Sequence, residues 1–263
     1  MDIKSKILNS RAADIGFKAA WLVKRKINRL SKNDDIRVNI GAGRWIRKGW
    51  KTLEYYNFWY SDIYMKYADY NHNLMSFNPM PMEDGSVSML FSSHCLEHIP
   101  EKYFTFLFKE FHRILKNGGV IRIAVPDYDI LFDDAKKALK KTEPDKKKLQ
   151  EFFDFFCDFY STESIGLARL RKDFSAGRES FGNKYLQKLP DKWSNEHPGS
   201  HKSWWNYKKM SELLKRAGFS KVYRSAPYQS KFPEFRAKYQ FLNMGFDGTH
   251  SDDALYVEAV KSL

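Results

Sequence analysis

The chain has 263 residues, enough for one α/β domain with a sizeable insertion, and 43% of them are hydrophobic, enough for a proper core. Its net charge of +13 favours anionic partners such as nucleic acid, acidic lipid or an anionic substrate, without choosing among them. Cys95 and Cys157 lie far apart with no CxxC motif, which excludes a disulfide framework and a cysteine zinc site and favours a reducing cytoplasm.

Residues 1–31 predict an amphipathic basic helix, because apolar residues alternate there with lysines and arginines at helical spacing. We expect this helix to pack over its own domain, and peripheral contact with an anionic membrane stays open as the alternative. No apolar run reaches the roughly 18 residues of a membrane span, and charges interrupt the N-terminus where a signal peptide is apolar. The sequence therefore predicts neither a transmembrane segment nor a signal peptide.

The stretch RVNIGAGRWIRKGWKTLE, from Arg37 to Glu54, predicts a buried strand, a glycine turn and a second strand that ends in an acid. Gly41 and Gly43 let the backbone turn sharply and let a ligand approach closely. Only about a dozen residues separate the strands, which leaves room for about one helical turn between them. A dinucleotide needs a full helix there to hold its pyrophosphate. The short gap therefore favours a nucleoside such as S-adenosylmethionine, with Glu54 accepting hydrogen bonds from the ribose.

The middle of the chain alternates predicted strands and helices. The aromatic run Tyr55–Leu74 predicts an irregular segment and a third strand, and Ser86–Ser93 predicts a short apolar strand. Glu101–Lys116 places its apolar residues on one helical stripe, and Asn117–Gly119 supplies the residues of a helix C-cap. Val120–Asp127, VIRIAVPD, then predicts a strand, so this region forms a strand, helix, strand unit.

Residues 129–205 break this alternation and predict a mostly helical insertion. We expect it to cap the carboxyl ends of the strands, where ligands bind in open α/β sheets. After it, residues 208–217 predict a helix, and residues 220–227 and 253–261 predict two more strands. The insertion therefore precedes the last two strands.

Several segments together resemble the class I S-adenosylmethionine-dependent methyltransferases, and in particular the group found in surface-polysaccharide gene clusters. The likeness covers residues 36–130 and 201–261, and LEH and LKNGG are its most specific parts. It implies a Rossmann-like α/β fold, with a seven-stranded, mostly parallel sheet, helices on both faces and one reversed strand near the C-terminus. The methyltransferase domain would span residues 32–263, with the insertion at 129–205. The segments are VNIGAG, GWKTLE, NPMPMEDGSVSMLFSSHCLEHIP, FHRILKNGGVIRIAVPD, SWWNYKKMSELLKRAGFSKV and LYVEAVK.

The resemblance also implies a binding site for the methyl donor. Three positions depart from the family pattern: Asn39 replaces the first acid, Trp45 the third glycine, and Ser88 the usual aspartate of the fourth strand. Asn39 and Asn73 can still form hydrogen bonds, so donor binding is retained at an affinity that these departures can lower. The implied site consists of Asn39, Gly41, Ala42 and Gly43 under the methionine part, Glu54 at the ribose, Asn73 and Leu74 beside the adenine with Asp69 as a rival, and Ser92, Ser93 and His94 at the methyl end.

Methyl transfer requires alignment of the acceptor with the methyl group and exclusion of water. A general base is needed only for a hydroxyl or a protonated amine. His94 is the first candidate base and His201 the second, and a structural role for His94 is an equally open alternative. Glu97 and His98 are expected to fix the loop after the fourth strand, and Asp127 is a base or a helix cap.

Two further sets of side chains have competing interpretations. The histidines and acids of the predicted site offer no HxxxH pair on an established helix and no cysteine partner, so we expect no metal. His197 is expected to be a solvated loop residue. Trp204, Trp205 and Tyr207 are interpreted as a hydrophobic hinge between insertion and core, with a stacking wall for a sugar or base as the alternative.

The predicted function is methylation by S-adenosylmethionine, with S-adenosylhomocysteine as product, in the cytoplasm. The predicted acceptor is a hydroxyl of a sugar or a phosphorylated small-molecule precursor of a surface glycan, such as capsule or lipopolysaccharide. The positive charge suits an anionic or carrier-linked acceptor. A nucleic-acid methyltransferase is disfavoured, since no NPPY-like or paired-cysteine motif is present. A degenerate binding or scaffold module is the third alternative, motivated by Asn39, Trp45 and Ser88. The oligomeric state is not predicted.

Overall fold

A computed structural model describes residues 35–43, 49–55, 68–187, 189–236 and 253–262. These residues form a seven-stranded sheet. The strands are β1 (Ile36–Ile40), β2 (Lys51–Glu54), β3 (Tyr70–Asn71), β4 (Val87–Ser93), β5 (Leu115–Pro126), β6 (Lys221–Ser225) and β7 (Ala254–Val260).

The sheet has the order β3-β2-β1-β4-β5-β7-β6. Strands β1 to β5 pair in parallel, and β7 runs antiparallel to both β5 and β6. The predicted mostly parallel sheet with one reversed strand near the C-terminus is therefore confirmed.

Helices pack around the sheet and form the segment between β5 and β6. Three short 3-10 helices occupy Leu96–His98, Glu101–Tyr103 and Pro233–Phe235. None of the described helices combines the length and apolar character that a bilayer span needs. The basic helix predicted for residues 1–31 lies outside the described residues. The α-helices are α1 (Phe104–Ile114), α2 (Tyr128–Lys140), α3 (Lys146–Phe156), α4 (Thr162–Ile165), α5 (Leu167–Ser175), α6 (Arg178–Leu186), α7 (Asp191–Glu196) and α8 (Tyr207–Arg216).

Alternating side chains of the central strands divide between two cores, as the two-residue period of a strand requires. On one face, Leu90 and Ile121 join the main core, to which α1 and α8 contribute their apolar stripes. On the other, Phe91 and Val120 pack with Trp50 in a smaller cluster. Both faces of the strands that carry the site are thus buried, which holds their carboxyl ends rigidly.

The insertion has a hydrophobic core of its own, built by residues of α2, α3, α5 and α6 around Phe153, Phe174 and Phe181. Trp204 belongs to this core, whereas the adjacent Trp205 belongs to the main core under the sheet. The two neighbouring indoles therefore join the insertion to the sheet. This arrangement supports the hinge interpretation over a stacking wall.

Helix α1 ends earlier than the sequence predicted. The helix stops at Ile114, because Leu115 turns to extended backbone and pairs with Val87 of β4. The next residue pair in this ladder is Met89 with Val120, so the four residues 116–119 bulge out of β5. The predicted glycine C-cap was therefore wrong, because Gly118 and Gly119 lie in the bulge of β5 and not at the helix end.

A buried ion pair joins β5 to the antiparallel strand β7. The Arg122 guanidinium on β5 contacts the Glu258 carboxylate on β7, and the two side chains are 2% and 0% exposed. Tyr223 donates its hydroxyl to Glu258 at 2.7 Å, and Arg122 also donates to the carbonyls of Ala226 and Gln229 at 2.7 and 2.9 Å. These bonds join β5, β7, β6 and the turn after β6.

Candidate active site

The glycine turn lies where the parallel strands β1, β2 and β4 end at one edge of the sheet. Gly41 and Gly43 have φ angles of 66° and 55°, the left-handed region that favours glycine. The Gly41 N–H donates to the carbonyl of Leu53 at 3.0 Å, which ties the turn to β2. A Cβ at Gly41 would lie 2.2 Å from Cys95 Sγ, whereas a Cβ at Gly43 would meet no described residue within 4 Å. Cys95 therefore packs directly against the turn at Gly41.

Glu54 is the last residue of β2, as predicted, and its side chain is buried beside this turn. Its carboxylate accepts a hydrogen bond from the Gly43 N–H. Because the Glu54 carboxylate lies at the glycine turn, it is placed to accept hydrogen bonds from the ribose hydroxyls of a ligand bound there. The geometry fits the role predicted for Glu54.

The other residues of the predicted donor site have different surroundings. Asn39 is buried within β1, between Thr52 of β2 and Phe91 of β4. Ser92 and Ser93 end β4, and Ser92 pairs with Ile40 at the end of β1. These positions line the edge at which the strands end. Ala42 of the turn and Leu74 after β3 are both buried, and Leu74 packs in the main core.

The register of β3 separates Asn73 from its rival Asp69. Asp69 precedes β3 and accepts hydrogen bonds from the N–H and hydroxyl of Thr52 at 3.0 and 3.1 Å. Asn73 follows the strand, and His72 donates its N–H to the carbonyl of Glu54 at 2.9 Å. Asn73 therefore lies beside Glu54 at the edge where the strands end, which favours it for the adenine side.

His94 and Glu97 form a contact directly after β4. His94 Nδ1 lies 3.2 Å from Glu97 Oε1, and Glu97 is only 2% exposed. His94 has a φ of 47°, uncommon outside glycine, and its N–H donates to the carbonyl of Ala124 at 2.9 Å. Burial would raise the pKa of Glu97, but the hydrogen bond from His94 and the nearby histidines lower it to about 2. Glu97 is therefore an anion that orients His94.

His201 reaches the same carboxylate from the end of the insertion. The N–H groups of Lys202 and Ser203 donate to the carbonyl of Glu97 at 2.7 and 3.1 Å, which fixes this segment against the LEH turn. Burial lowers the pKa of His201 to about 4, although Glu97 opposes the shift. At neutral pH His201 is therefore an uncharged imidazole. The structure thus brings His94 and His201, the two candidate bases, to one buried acid.

The remaining candidates take structural positions. Asp127 caps α2 by accepting from the Asp129 N–H at 3.1 Å, and it pairs with Arg224 at 2.6 Å, so the cap interpretation is confirmed. His197 is exposed and stacks on Trp193.

Both cysteines are free thiols. Burial raises the pKa of the Cys95 thiol, and it raises that of Cys157 to about 12. Neither thiol is therefore ionised as a nucleophile at neutral pH. Cys95 contributes by its packing under Gly41, a contact that sequence reasoning missed.

Residues 57–123 match the family model described as a methyltransferase domain. This match agrees with the resemblance of the sequence to class I S-adenosylmethionine-dependent methyltransferases. The matched residues make up about a quarter of the chain and include β4, the LEH turn, α1 and the first part of β5. S-adenosylmethionine is the methyl donor that this match and the sequence resemblance imply.

Solved methyltransferase structures resemble the chain at low sequence identity. One is a methyltransferase from Thermotoga maritima described as a possible histamine N-methyltransferase, with 12% identity, a TM-score of 0.43 and coverage of 97% of this chain and 96% of that one. A TehB-like methyltransferase from Corynebacterium glutamicum has 12% identity, a TM-score of 0.41 and coverage of 98% and 100%. Phosphoethanolamine N-methyltransferase 2 from Haemonchus contortus has 16% identity, a TM-score of 0.41 and coverage of 92% and 53%. Among curated proteins, no match was found.

The described residues fit this methyl donor. Gly41 and Gly43 form the turn where β1 ends, and the Glu54 carboxylate lies beside it. When bound, the donor supplies a methyl group activated on a sulfonium. Gly41 and Gly43 would hold its methionine part, and Glu54 its ribose.

Replacing Glu54 with alanine is expected to weaken S-adenosylhomocysteine binding by about 1–3 kcal/mol, the scale of hydrogen bonds to a charged group. Isothermal titration calorimetry with the wild type and the variant measures this loss. Glu143→Ala, which removes an exposed acid of the insertion, is the matched control and should bind as the wild type does. An unchanged affinity for Glu54→Ala would refute the ribose assignment.

Proposed function

We propose that this methyltransferase transfers its methyl group to a hydroxyl of a sugar or of a phosphorylated small-molecule precursor of a surface glycan. One observation supports a hydroxyl as the acceptor. Directly after β4, His94 Nδ1 lies 3.2 Å from Oε1 of the buried Glu97 carboxylate. A base is required for an acceptor that must lose a proton as it reacts. A carboxylate on Nδ1 holds that nitrogen protonated and leaves Nε2 to act as the base.

The proposed step is an in-line displacement. A lone pair of the acceptor oxygen forms the new oxygen–carbon bond while the carbon–sulfur bond breaks, and the sulfonium becomes the neutral thioether of S-adenosylhomocysteine. His94 Nε2 takes the hydroxyl proton, and Glu97 stabilises the imidazolium that results. The buried LEH turn and the insertion exclude water from this end of the sheet.

The class of acceptor rests on charge and on the sequence likeness. The net charge of +13 favours an anionic group such as a phosphate on the acceptor or its carrier. The likeness of the LEH and LKNGG segments to enzymes of surface-polysaccharide clusters favours a sugar. A cytoplasmic location follows as part of the same proposal, because such precursors are made there.

The proposal is tested with S-adenosylmethionine labelled in its methyl group and a panel of acceptors. The panel contains nucleotide sugars, sugar phosphates, the matching unphosphorylated sugars, ethanolamine phosphate, and single-stranded DNA and RNA. We expect transfer to a sugar-containing phosphate and a product whose methyl group is on oxygen, identified by mass spectrometry and NMR. Transfer to nitrogen or to nucleic acid would contradict the proposal, as would no transfer to any sugar by a protein that binds S-adenosylhomocysteine.

A further inference from the structure

The Glu97 carboxylate is buried among histidines and has an unsatisfied oxygen. The side chain is 2% exposed, and Oε2 has no hydrogen-bond partner within the part of the chain that the structure describes. No lysine or arginine among those residues forms an ion pair with it. Buried charges are normally paired or bind a metal, because desolvation of a lone carboxylate is costly. Among the described residues, the charge partners of Glu97 are therefore His94 and His98, which carry charge only when protonated.

His98 turns its second ring nitrogen toward this carboxylate. Its Nδ1 lies 3.2 Å from the carbonyl oxygen of Ser200, and a carbonyl can only accept, so Nδ1 carries the proton. The lone pair of Nε2 then faces Glu97 Oε1 across 3.9 Å. Metal-binding histidines commonly have this arrangement, in which one ring N–H donates to a backbone carbonyl and the other nitrogen binds the ion. With a neutral His98, one metal ion placed between these two atoms can bind both of them.

His201 completes the cluster from the other side. Its ring centroid lies 5.0 Å from that of His98, and one ligand atom from each of Glu97, His98 and His201 lies within 4.8 Å of the others. Glu97 and His201 also line a cavity of about 10 Å³, enough for roughly one water or ion.

We propose that Glu97, His98 and His201 bind one divalent transition-metal ion, with Zn²⁺ as the reference ion. One carboxylate and two imidazoles suit zinc, and this ligand set leaves a coordination position open, as in catalytic zinc sites. The sequence predicted no metal, because His201 approaches the LEH turn only after the whole insertion has folded. Metal binding at this site does not require the acceptor proposed above.

The test uses full-length protein from which metal has been removed with a chelator. Titration with ZnCl₂ by calorimetry is expected to show one equivalent per chain, and CoCl₂ should give the visible absorption bands of a four- or five-coordinate site. Glu97→Gln and His201→Gln should each weaken binding by at least about 10-fold, since even outer-shell changes cost 10–100-fold. His197→Gln removes an exposed histidine of the same loop and should leave binding unchanged.

The proposal is overturned if the wild type binds no Zn²⁺ saturably, or if His201→Gln binds it as tightly as the wild type. Circular dichroism and S-adenosylhomocysteine titration of each variant show that the fold persists. If Glu97→Gln does not fold, His98→Gln takes its place. Because neither readout uses methyl transfer, a failed metal site and a failed acceptor assignment give different results.

Discussion

Replacing His94 with glutamine is expected to lower kcat for methyl transfer by about 10²–10⁴-fold, the usual contribution of a general base. Glutamine preserves much of the size of the imidazole and can still donate to Glu97, but it cannot take a proton from the acceptor. His94 is held for this task by Glu97 on one side and by the backbone bond to Ala124 on the other. Initial rates with saturating donor and the acceptor identified above measure the effect.

The control variant His197→Gln should retain the wild-type rate, because His197 is exposed and stacks on Trp193 away from Glu97. S-adenosylhomocysteine affinity separates catalysis from folding, since Glu54 and the glycine turn are untouched by the change at His94. A wild-type rate for His94→Gln would rule out the base. A parallel loss of S-adenosylhomocysteine binding would instead assign His94 to donor binding if circular dichroism shows an intact fold, and to the fold if it does not.

Replacing Arg122 with methionine is expected to destabilise the protein by about 3–5 kcal/mol, the cost of leaving one partner of a buried ion pair uncompensated. The variant keeps Glu258 fully buried, with Tyr223 as its remaining described hydrogen-bond donor. It also removes the bonds that tie the turn after β6 to the sheet. Urea unfolding followed by circular dichroism gives the change in free energy of unfolding.

The double variant Arg122→Met with Glu258→Leu should recover most of this loss, because no charge then remains buried. Lys137→Ala breaks an exposed pair with Asp134 and should not change stability measurably. If Arg122→Met unfolds at the same urea concentration and with the same slope as the wild type, the pair does not stabilise the sheet as its burial indicates.

The fold was predictable from sequence because its signals are local. The glycine turn after β1, the apolar run of β4 and the apolar stripe of α1 are each encoded by a short continuous segment of sequence. The end of α1 was not predictable, since Leu115 leaves the helix to pair with Val87, a residue distant in sequence. The sequence at residues 117–119 is compatible with a helix C-cap, but pairing of Leu115 with β4 ends the helix before it.

The candidate site was predictable only in part, for a similar reason. Glu54 was predicted from its distance in sequence to the glycine turn, and His94 was predicted from its position directly after β4. The choice between Asn73 and Asp69 depends on the register of β3, which no local pattern encodes. The approach of His201 to Glu97 depends on how the whole insertion packs, so sequence spacing gave no reason to group them.

The insertion is closed at its base. Tyr128 at its start donates its N–H to the carbonyl of Trp205 at its end at 2.9 Å, so the chain leaves and re-enters the sheet domain at neighbouring points. A segment that departs and returns through one narrow neck can change in length or sequence without shifting the strands on either side. The strands β1 and β2 beside the glycine turn are thereby separated from the helices of the insertion. The insertion can diverge in sequence while the strands around the glycine turn remain the same.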